Sequence, residues 1–358
     1  GDVLFHLDDL WESADIDFVG IDNYLPLSDW RDAKVHADKT HGTIYDVNYL
    51  TGNVAGGEGY DWYYASAADR DAQVRTPIVD SAHGEDWVFR NKDLLNWWSS
   101  DHYNRLGGVR DVSPTSWVPE SKPIWFTELG CPAVNKGTNQ PNVFYDPKSS
   151  ESFFPYFSNG VRDDFIQQRY LDAVLGHWSD ADNNPVSSVY GGRMVDLSHA
   201  YVWAWDARPW PDFPYRNETW VDGENYARGH WLNGRTSAPS LASVVGEICA
   251  SAELVDIDVD GLSGRVTGFS INDVESARQS LQPLMLAYGF DSFASGENLA
   301  FADRSGRIVS SVSSGDCVYE ANAPVIAQAR GPGGEAPGRV ALAYVRSDLD
   351  YQSGAIEA

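Results

Sequence analysis

One glutamate in this sequence occupies a position typical of a catalytic carboxylate. Glu128 comes near the end of the run PIWFTELG (123–130), whose apolar core of Ile124, Trp125 and Phe126 predicts a short, buried β-strand. An unpaired carboxylate is costly to bury in an apolar wall, so this residue needs either a partner or a role. In parallel α/β sheets the active site lies at the carboxyl ends of the strands, which is where Glu128 would lie.

Two aspartates follow similar apolar runs. Asp22 lies near the end of the predicted strand 16–24, and Asp206 directly follows the predicted strand 201–205. Glycoside hydrolysis commonly uses two carboxyl groups, about 5–5.5 Å apart in retaining enzymes. Glu128 fits the nucleophile, with Asp22 and Asp206 as weaker candidates for the second acid. The alternative is structural: Glu128 could pair with an arginine, and either aspartate could hold Arg208 or a loop amide.

Aromatic residues accompany these acids. Strand alternation places Trp203 and Trp205 on the same side of their strand, and Tyr24 follows the strand that carries Asp22. These rings could form a stacking platform for a sugar, with Trp205 nearest the opening, or they could fill the core. Two more candidates for substrate binding, Glu58 and Asp61, lie in the aromatic segment 56–64, which could fold over a cleft.

Composition excludes several classes of function. The 358 residues carry a net charge of −26, a field that repels phosphate backbones, so we expect no nucleic-acid partner. No apolar run approaches the ~18 residues of a membrane span. The three cysteines form neither a disulfide framework nor a zinc pattern, and we expect no cofactor and no metal. The alternating acids Asp256, Asp258 and Asp260 open like a calcium loop, but Thr267 replaces the closing acid and a half-solvated strand explains them better.

The elements that must position these residues alternate between strand and helix. Helices are predicted over 92–104 and, most clearly, over 163–178, where apolar residues repeat every four positions. Such alternation predicts an α/β fold with parallel strands. Three strands cannot close a (β/α)₈ barrel, which needs eight. Either further strands lie within 28–90 or, as we favour, the chain holds the C-terminal part of a barrel whose first half precedes residue 1.

The amino-acid composition of the chain changes near Ala238. All 14 Trp and all eight His lie at or before Trp231, and no lysine follows Lys148. We therefore predict two domains, 1–237 and 238–358. The second reads as a small α+β module with helices over 241–252 and 277–288. Its predicted strands cover 255–260, 299–301, 324–329 and 340–345.

Long stretches of the chain resemble a known protein family. They include IDFVGIDNYLPLSDWRD (16–32), KPIWFTELGCPAVNKGTNQPNVF (122–144) and YVWAWDARPWPDFP (201–214). The likeness is to the glycoside-hydrolase-like TIM-barrel domain of the large tail-tip, or host-specificity, protein of gene transfer agents and related phage tails. The stretch 265–301 is similar to the baseplate-hub-type domains that follow the barrel in such proteins.

This resemblance implies a function, a location and partners. It implies a particle component at the tail tip, made in the bacterial cytoplasm, oligomeric in the assembled particle and bound to other tail and baseplate proteins. Bacterial surface polysaccharide would be its substrate or ligand, without membrane insertion. In related barrel glycosidases the nucleophile comes from a late strand, which Glu128 matches, and the acid/base glutamate from the fourth strand, which has no counterpart here. A catalytically inactive structural or carbohydrate-binding tail protein is the alternative.

Overall fold

The chain divides into two compact units, Gly1–Thr236 and Ser237–Ala358. A computed structural model describes residues 2–146, 149–150, 152–233, 238–271, 274–304, 311–316, 339, 341–346 and 352–357. Each unit has a hydrophobic core of its own.

The helices and strands of the described residues follow one another as helices α1–α8 and strands β1–β12. The helices are α1 (Asp8–Trp11), α2 (Val47–Gly52), α3 (Ala67–Ala72), α4 (Leu94–Ser99), α5 (Asp164–Ser179), α6 (Asp212–Tyr215), α7 (Leu241–Ser251) and α8 (Ala277–Tyr288). The strands are β1 (Val19–Asn23), β2 (Trp62–Tyr63), β3 (Thr76–Pro77), β4 (Arg105–Leu106), β5 (Val109–Arg110), β6 (Ile124–Leu129), β7 (Val195–Val202), β8 (Ile257–Gly261), β9 (Phe290–Ser295), β10 (Asn298–Asp303), β11 (Ala341–Arg346) and β12 (Gln352–Glu357). Short 3₁₀ turns cover Lys39–His41, Asp86–Phe89, Gly137–Asn139, Gly223–Arg228 and Ser314–Asp316.

A three-stranded parallel sheet organises the first unit. Its order is β1-β6-β7, so the strand that carries Glu128 lies in the middle. Asp22 of β1 is the register partner of Glu128, and a bulge separates this pair from the preceding one. The predicted α/β fold with parallel strands is therefore confirmed. These described residues form an open sheet rather than a closed barrel, and the eight-stranded barrel stays a prediction.

The two faces of this sheet have different surroundings. Ile124 and Phe126 point into the core, together with the buried residues of α5, because apolar side chains alternate along a strand. On the opposite face, the ring of Trp125 is stacked between those of Phe18 and His199, with centroids 3.7 and 3.6 Å away. This face is polar or aromatic rather than aliphatic, and it is partly open to solvent.

Helix α5 anchors the carboxyl edge of the sheet. Asp163 caps its first turn by accepting a hydrogen bond from the Ile166 amide at 3.0 Å. The Tyr170 hydroxyl donates to the carbonyl of Asn23, at the end of β1, and Gln167 Nε2 donates to the carbonyls of Cys131 and His230. The helix therefore holds the chain that leaves β1 and β6. It begins and ends within one residue of the predicted 163–178.

The segment between β1 and β6 contains α2, α3 and only short strand pairs. The two-residue strands β2 and β3 pair with each other in a separate antiparallel sheet, as do β4 and β5. In the described residues this segment adds no strand to the central sheet, so the further barrel strands that the sequence allowed within 28–90 are not found there.

The second unit is an α+β arrangement. β10 lies between β8, to which it is parallel, and β9, to which it is antiparallel. Helices α7 and α8 contribute Leu241, Val245 and Leu281 to the core. A capping box of Ser276 and Gln279 starts α8, and Pro283 within it does not end the helix. β11 and β12 form a separate antiparallel pair, and the predicted strand 324–329 lies outside the described residues.

Two predicted elements differ from the observed ones. The strand predicted over 201–205 runs instead from Val195 to Val202, since polar residues of its first half face the open side of the sheet and hide its apolar pattern. The helix predicted over 92–104 is only α4, because Asp93 caps its start and the chain becomes extended at Ser100. Aromatic runs were misleading in both places.

Candidate active site at the end of the central strand

Glu128 is half-buried at the carboxyl end of β6, where the sequence places it. Its carboxylate Oε2 accepts a hydrogen bond of 2.7 Å from the Tyr24 hydroxyl. In the part of the chain that the structure describes, no arginine or lysine forms an ion pair with Glu128. The structural alternative, a glutamate neutralised by arginine, is therefore not what these residues show.

The Tyr24 phenol is a neutral partner for this carboxylate. Burial, reinforced by the hydrogen bond to Glu128 and by its negative charge, raises the pKa of Tyr24 well above its ordinary value. The phenol thus stays protonated across the physiological range and keeps donating. A neutral donor orients the carboxylate without cancelling its charge, which is what a nucleophile requires.

Asp22 lies beside Glu128 in the sheet register, on the exposed side. Its carboxylate Oδ1 accepts a hydrogen bond of 2.8 Å from the Thr127 hydroxyl. Of the two aspartates predicted near the strand ends, this is the one that forms no ion pair among the described residues.

Asp206 is in a different state. Arg208 contacts both of its carboxylate oxygens, at 2.9 Å through Nε and 2.6 Å through Nη2, and at the same time holds Asp222. The Arg208 guanidinium lowers the pKa of Asp206, which keeps the carboxyl ionised and unsuited to donating a proton. This is the structural role that the sequence left open for it.

The two acids of the aromatic segment 56–64 also have partners. Glu58 forms an ion pair with Arg70, whose Nη1 donates to it at 2.9 Å. Asp61 accepts a hydrogen bond from the Gly57 amide at 2.8 Å and so closes a turn. Neither contact joins these residues to Glu128, and substrate binding by Glu58 and Asp61 remains a prediction.

A cavity of about 320 Å³ opens next to the end of β7. The segments 144–146, 203–204, 222–225 and 229–231 surround it, and its lining residues are Phe144, Tyr145, Asp146, Trp203, Ala204, Asp222, Asn225, Gly229, His230 and Trp231. The volume is within the range of pockets that hold small ligands. Aromatic side chains with a few polar groups are the composition that suits a sugar ring.

His230 links this cavity to Glu128. Its ring meets the Tyr24 ring edge-to-face, with centroids 5.5 Å apart, and its Nε2 hydrogen-bonds the Pro141 carbonyl at 2.9 Å. The Trp203 amide donates to the carbonyl of Leu129, the residue after Glu128, at 2.8 Å. The cavity wall is thus joined by direct hydrogen bonds and ring contacts to the end of β6.

The two tryptophans after β7 do not occupy equivalent positions. Trp203, 51% exposed, lines the cavity, whereas Trp205, 64% exposed, does not. β7 ends at Val202, so strand alternation no longer governs these residues. Trp203 is thus the one of the two that lines this cavity, and a stacking role for either ring remains a prediction.

Sequence reasoning missed most of the cavity. Phe144, Asp222 and the segment 229–231 come from loops without a period, and no local pattern indicates that they meet. One signal for the cavity was present in the sequence: the neighbouring pair His230 and Trp231, which are the last His and the last Trp of the chain.

The described residues contain no group of three or more His, Cys, Asp or Glu side chains that could hold a metal ion. Among the same residues, no helix is long and apolar enough to cross a membrane.

Comparison with known proteins gives two family matches. The model described as "GTA TIM-barrel-like domain" matches residues 1–214, and the model described as "Putative phage tail protein" matches residues 276–358. One similar solved structure is "Virion of native gene transfer agent (GTA) particle". One of its chains is 44% identical over 39% of this chain and 32% of that chain, with a TM-score of 0.35. This chain therefore spans less than a third of the virion chain that it matches. No curated protein matches.

Proposed function

Since the chain belongs to the family of gene transfer agent TIM-barrel-like domains and carries a phage tail segment, we propose that it acts at the tail tip of a gene transfer agent or phage-like particle, where its first unit hydrolyses cell-envelope polysaccharide. One observation carries the chemical part. Glu128 projects from the end of the central parallel strand, is oriented by a neutral phenol, and is joined to a cavity with aromatic walls.

Retaining hydrolysis gives each of these groups a task. The Glu128 carboxylate attacks the anomeric carbon, the bond to the leaving oxygen breaks, and that oxygen takes a proton from a second acid. Water then cleaves the glycosyl ester and returns the proton to that acid. Trp203 would carry the sugar face, and Tyr24 would orient the attacking oxygen.

The second acid must be able to hold a proton before the bond breaks. Arg208 keeps Asp206 ionised, so Asp206 is unsuited to this role. Asp22 is the remaining candidate of the two, because it lies beside Glu128 in the register and forms no ion pair among the described residues. Asp22→Asn should slow the cleavage of natural glycans far more than that of aryl glycosides with good leaving groups. Equal slowing of both would remove Asp22 from the mechanism.

Replacement of the nucleophile tests the enzymatic proposal directly. In the full-length protein, Glu128→Gln should lower polysaccharide hydrolysis by roughly 10³-fold or more, because the amide cannot form the glycosyl ester. Glu297→Gln, in the exposed turn before β10, is the matched control and should leave the rate unchanged. Reducing-end release from a panel of bacterial glycans measures both variants. Equal rates for wild type and Glu128→Gln would end the assignment.

Binding without cleavage is the second candidate function. The observation that favours it is that Arg208 holds one of the two predicted second acids, Asp206, in an ion pair, so that cleavage would depend on Asp22 alone. A wild-type protein that retains glycans without releasing any reducing ends would support a carbohydrate-binding tail component instead.

The tail-tip location and the assembly need a separate test. We expect the second unit to join an oligomeric baseplate-hub-like assembly with other tail proteins. Antibodies against the first unit should label intact particles at the end of the tail in electron micrographs. Labelling along the tail shaft or on the capsid would contradict this location.

A further inference from the structure

Among the described residues, Arg228 has no carboxylate partner, unlike most arginines of the first unit. The described arginines of this unit that do form such ion pairs are Arg31, Arg70, Arg75, Arg90, Arg105, Arg110, Arg162, Arg169, Arg208 and Arg216. Arg193, the other described arginine without one, is exposed, whereas Arg228 is half-buried. A guanidinium that is partly removed from water without a counter-ion is costly, so this position is a candidate for binding an anion from outside the chain.

The Arg228 guanidinium lies against a wall of the cavity beside Glu128. Its central carbon is 4.3 Å from the ring centroid of Tyr145, which lines the cavity, and Arg228 directly precedes the lining segment 229–231. Its Nη1 donates to the Gly160 carbonyl at 3.3 Å. Its other N–H groups form no hydrogen bond with the described residues. Because a guanidinium carries five donors in a planar fork, most of its capacity remains available to a ligand.

Aromatic contacts hold this guanidinium in place. Its central carbon is also 5.3 Å from the ring centroid of Phe154, and the rings of Tyr145 and Phe154 are stacked with centroids 4.6 Å apart. Gly160 packs closely on the same ring, since a Cβ there would lie 2.9 Å from a ring carbon of Phe154. A cation that is already fixed against two rings loses little freedom when a ligand binds, which favours binding.

The two acids that line the cavity do not neutralise Arg228. Arg208 occupies both carboxylate oxygens of Asp222, at 2.7 and 2.8 Å, and neither Asp222 nor Asp146 forms an ion pair with Arg228. The net charge of −26 acts mainly at long range, where salt screens it, whereas contact with a guanidinium is short-ranged. An anionic group that reaches Arg228 would therefore meet an uncompensated cation.

From these contacts we propose that the cavity is a subsite for an acidic sugar of the polysaccharide, such as a uronate, and that Arg228 selects it. The apolar face of the sugar would lie on the aromatic wall, and its carboxylate would accept two hydrogen bonds from the guanidinium fork. The inference rests on the proposed function for the polysaccharide as ligand, but not for its cleavage.

Binding measured without turnover tests the subsite. Full-length protein carrying Glu128→Gln is applied to an array of uronate-containing bacterial surface glycans. Each glycan is present in its native form and after chemical reduction of its carboxylates to alcohols. The glycans that bind should do so about tenfold or more tightly in the native form, because only that form can pair with the guanidinium. Adding Arg228→Gln should remove this preference and change binding of the reduced forms less than about twofold.

Arg193→Gln is the matched control. It removes the same charge from an arginine that also lacks a carboxylate partner among the described residues but does not line or adjoin the cavity, and native glycans should bind as before. Arg228→Lys keeps the charge without the planar fork, so its preference should lie between those of the parent and Arg228→Gln. Polyglutamate, a polyanion without sugar rings, should not bind. The comparison of native with reduced glycans on the parent chain decides the question even where a variant fails to fold.

The outcomes separate this inference from the enzymatic proposal. A preference for native glycans that depends on Arg228 supports the subsite, even if wild type cleaves none of them. Equal binding of native and reduced forms, a preference that persists in Arg228→Gln, Arg228-dependent binding of polyglutamate, or no glycan binding at all would overturn it, even if wild type proves to be a hydrolase.

Discussion

The buried acids of the loop-rich segment 28–93 are paired with arginines, whereas the acid at the end of β6 is paired with a neutral side chain. In the segment, Asp29 is held by Arg31 and Arg75, and Arg70 neutralises Glu58. At the end of β6, Glu128 is held by the neutral hydroxyl of Tyr24. This chain thus pairs its structural acids with arginines. A half-buried glutamate paired with a phenol instead is therefore a better candidate for chemistry than its residue type alone would suggest.

Lys92 is the most deeply buried basic residue of the segment 28–93. It is fully buried, and its ammonium group donates to the carbonyls of Pro26, Asn53 and Gly56. Lys92→Met should lower the free energy of unfolding by about 3–5 kcal/mol, because three carbonyls lose their donor in a dry environment. Urea denaturation measures the change. Lys34→Met, at an exposed position, is the control and should lower the free energy of unfolding by less than about 0.5 kcal/mol. Equal losses of stability in the two variants would show that the hydrogen bonds of Lys92 do not stabilise the fold.

Tyr24→Phe tests whether the tyrosine hydroxyl orients the Glu128 carboxylate. The variant keeps the ring and its contact with His230 but removes the donor to Glu128. Hydrolysis should fall by about ten- to a hundredfold, since a misoriented nucleophile loses near-attack geometry. Affinity for glycans, measured in the Glu128→Gln background, should not change. A loss of affinity with an unchanged cleavage rate would reverse the role that we give to Tyr24.

Glu58 and Glu128 should differ in how much each contributes to the free energy of unfolding. Glu58→Gln should lower the free energy of unfolding by about 1–2 kcal/mol, because Arg70 would keep its charge beside a neutral amide that accepts one of its two hydrogen bonds. Glu128→Gln should cost under about 0.5 kcal/mol, as an amide oxygen can still accept from Tyr24. Paired denaturation curves give both numbers. If Glu128→Gln proved the more destabilising variant, Glu128 would belong with the structural acids.

The smallest expected effect is a pH dependence at Asp206. Arg208 lowers the pKa of this carboxyl in the folded protein, so the ion pair stabilises the fold above the ordinary carboxyl value and stops doing so as the pH falls through the lowered one. The effect should therefore appear below about pH 4 and amount to roughly 1 kcal/mol or less. Asp206→Asn should remove it. Unfolding curves of the two proteins that run parallel from pH 5 to pH 2.5 would contradict the pairing.

Local patterns were enough to predict the periodic elements. The four-residue spacing along α5 and the apolar run of β6 located both elements to within about a residue, because their own side chains form the buried surface. The same is true of α8, whose start is marked by the capping pair Ser276 and Gln279. Where polar residues face the open side of the sheet, as in the first half of β7, the apolar signal disappeared and the strand was misplaced.

The sequence by itself determined that Glu128 ends a buried strand, that neighbouring strands run parallel and that the composition changes near residue 238, since each follows from side chains close together in the chain. Only the tertiary structure decided which acid keeps its charge uncompensated and which rings share a cavity. Tyr24 meets Glu128 across 104 positions of sequence. Such contacts depend on how strand ends and loops converge, and no local period encodes that convergence.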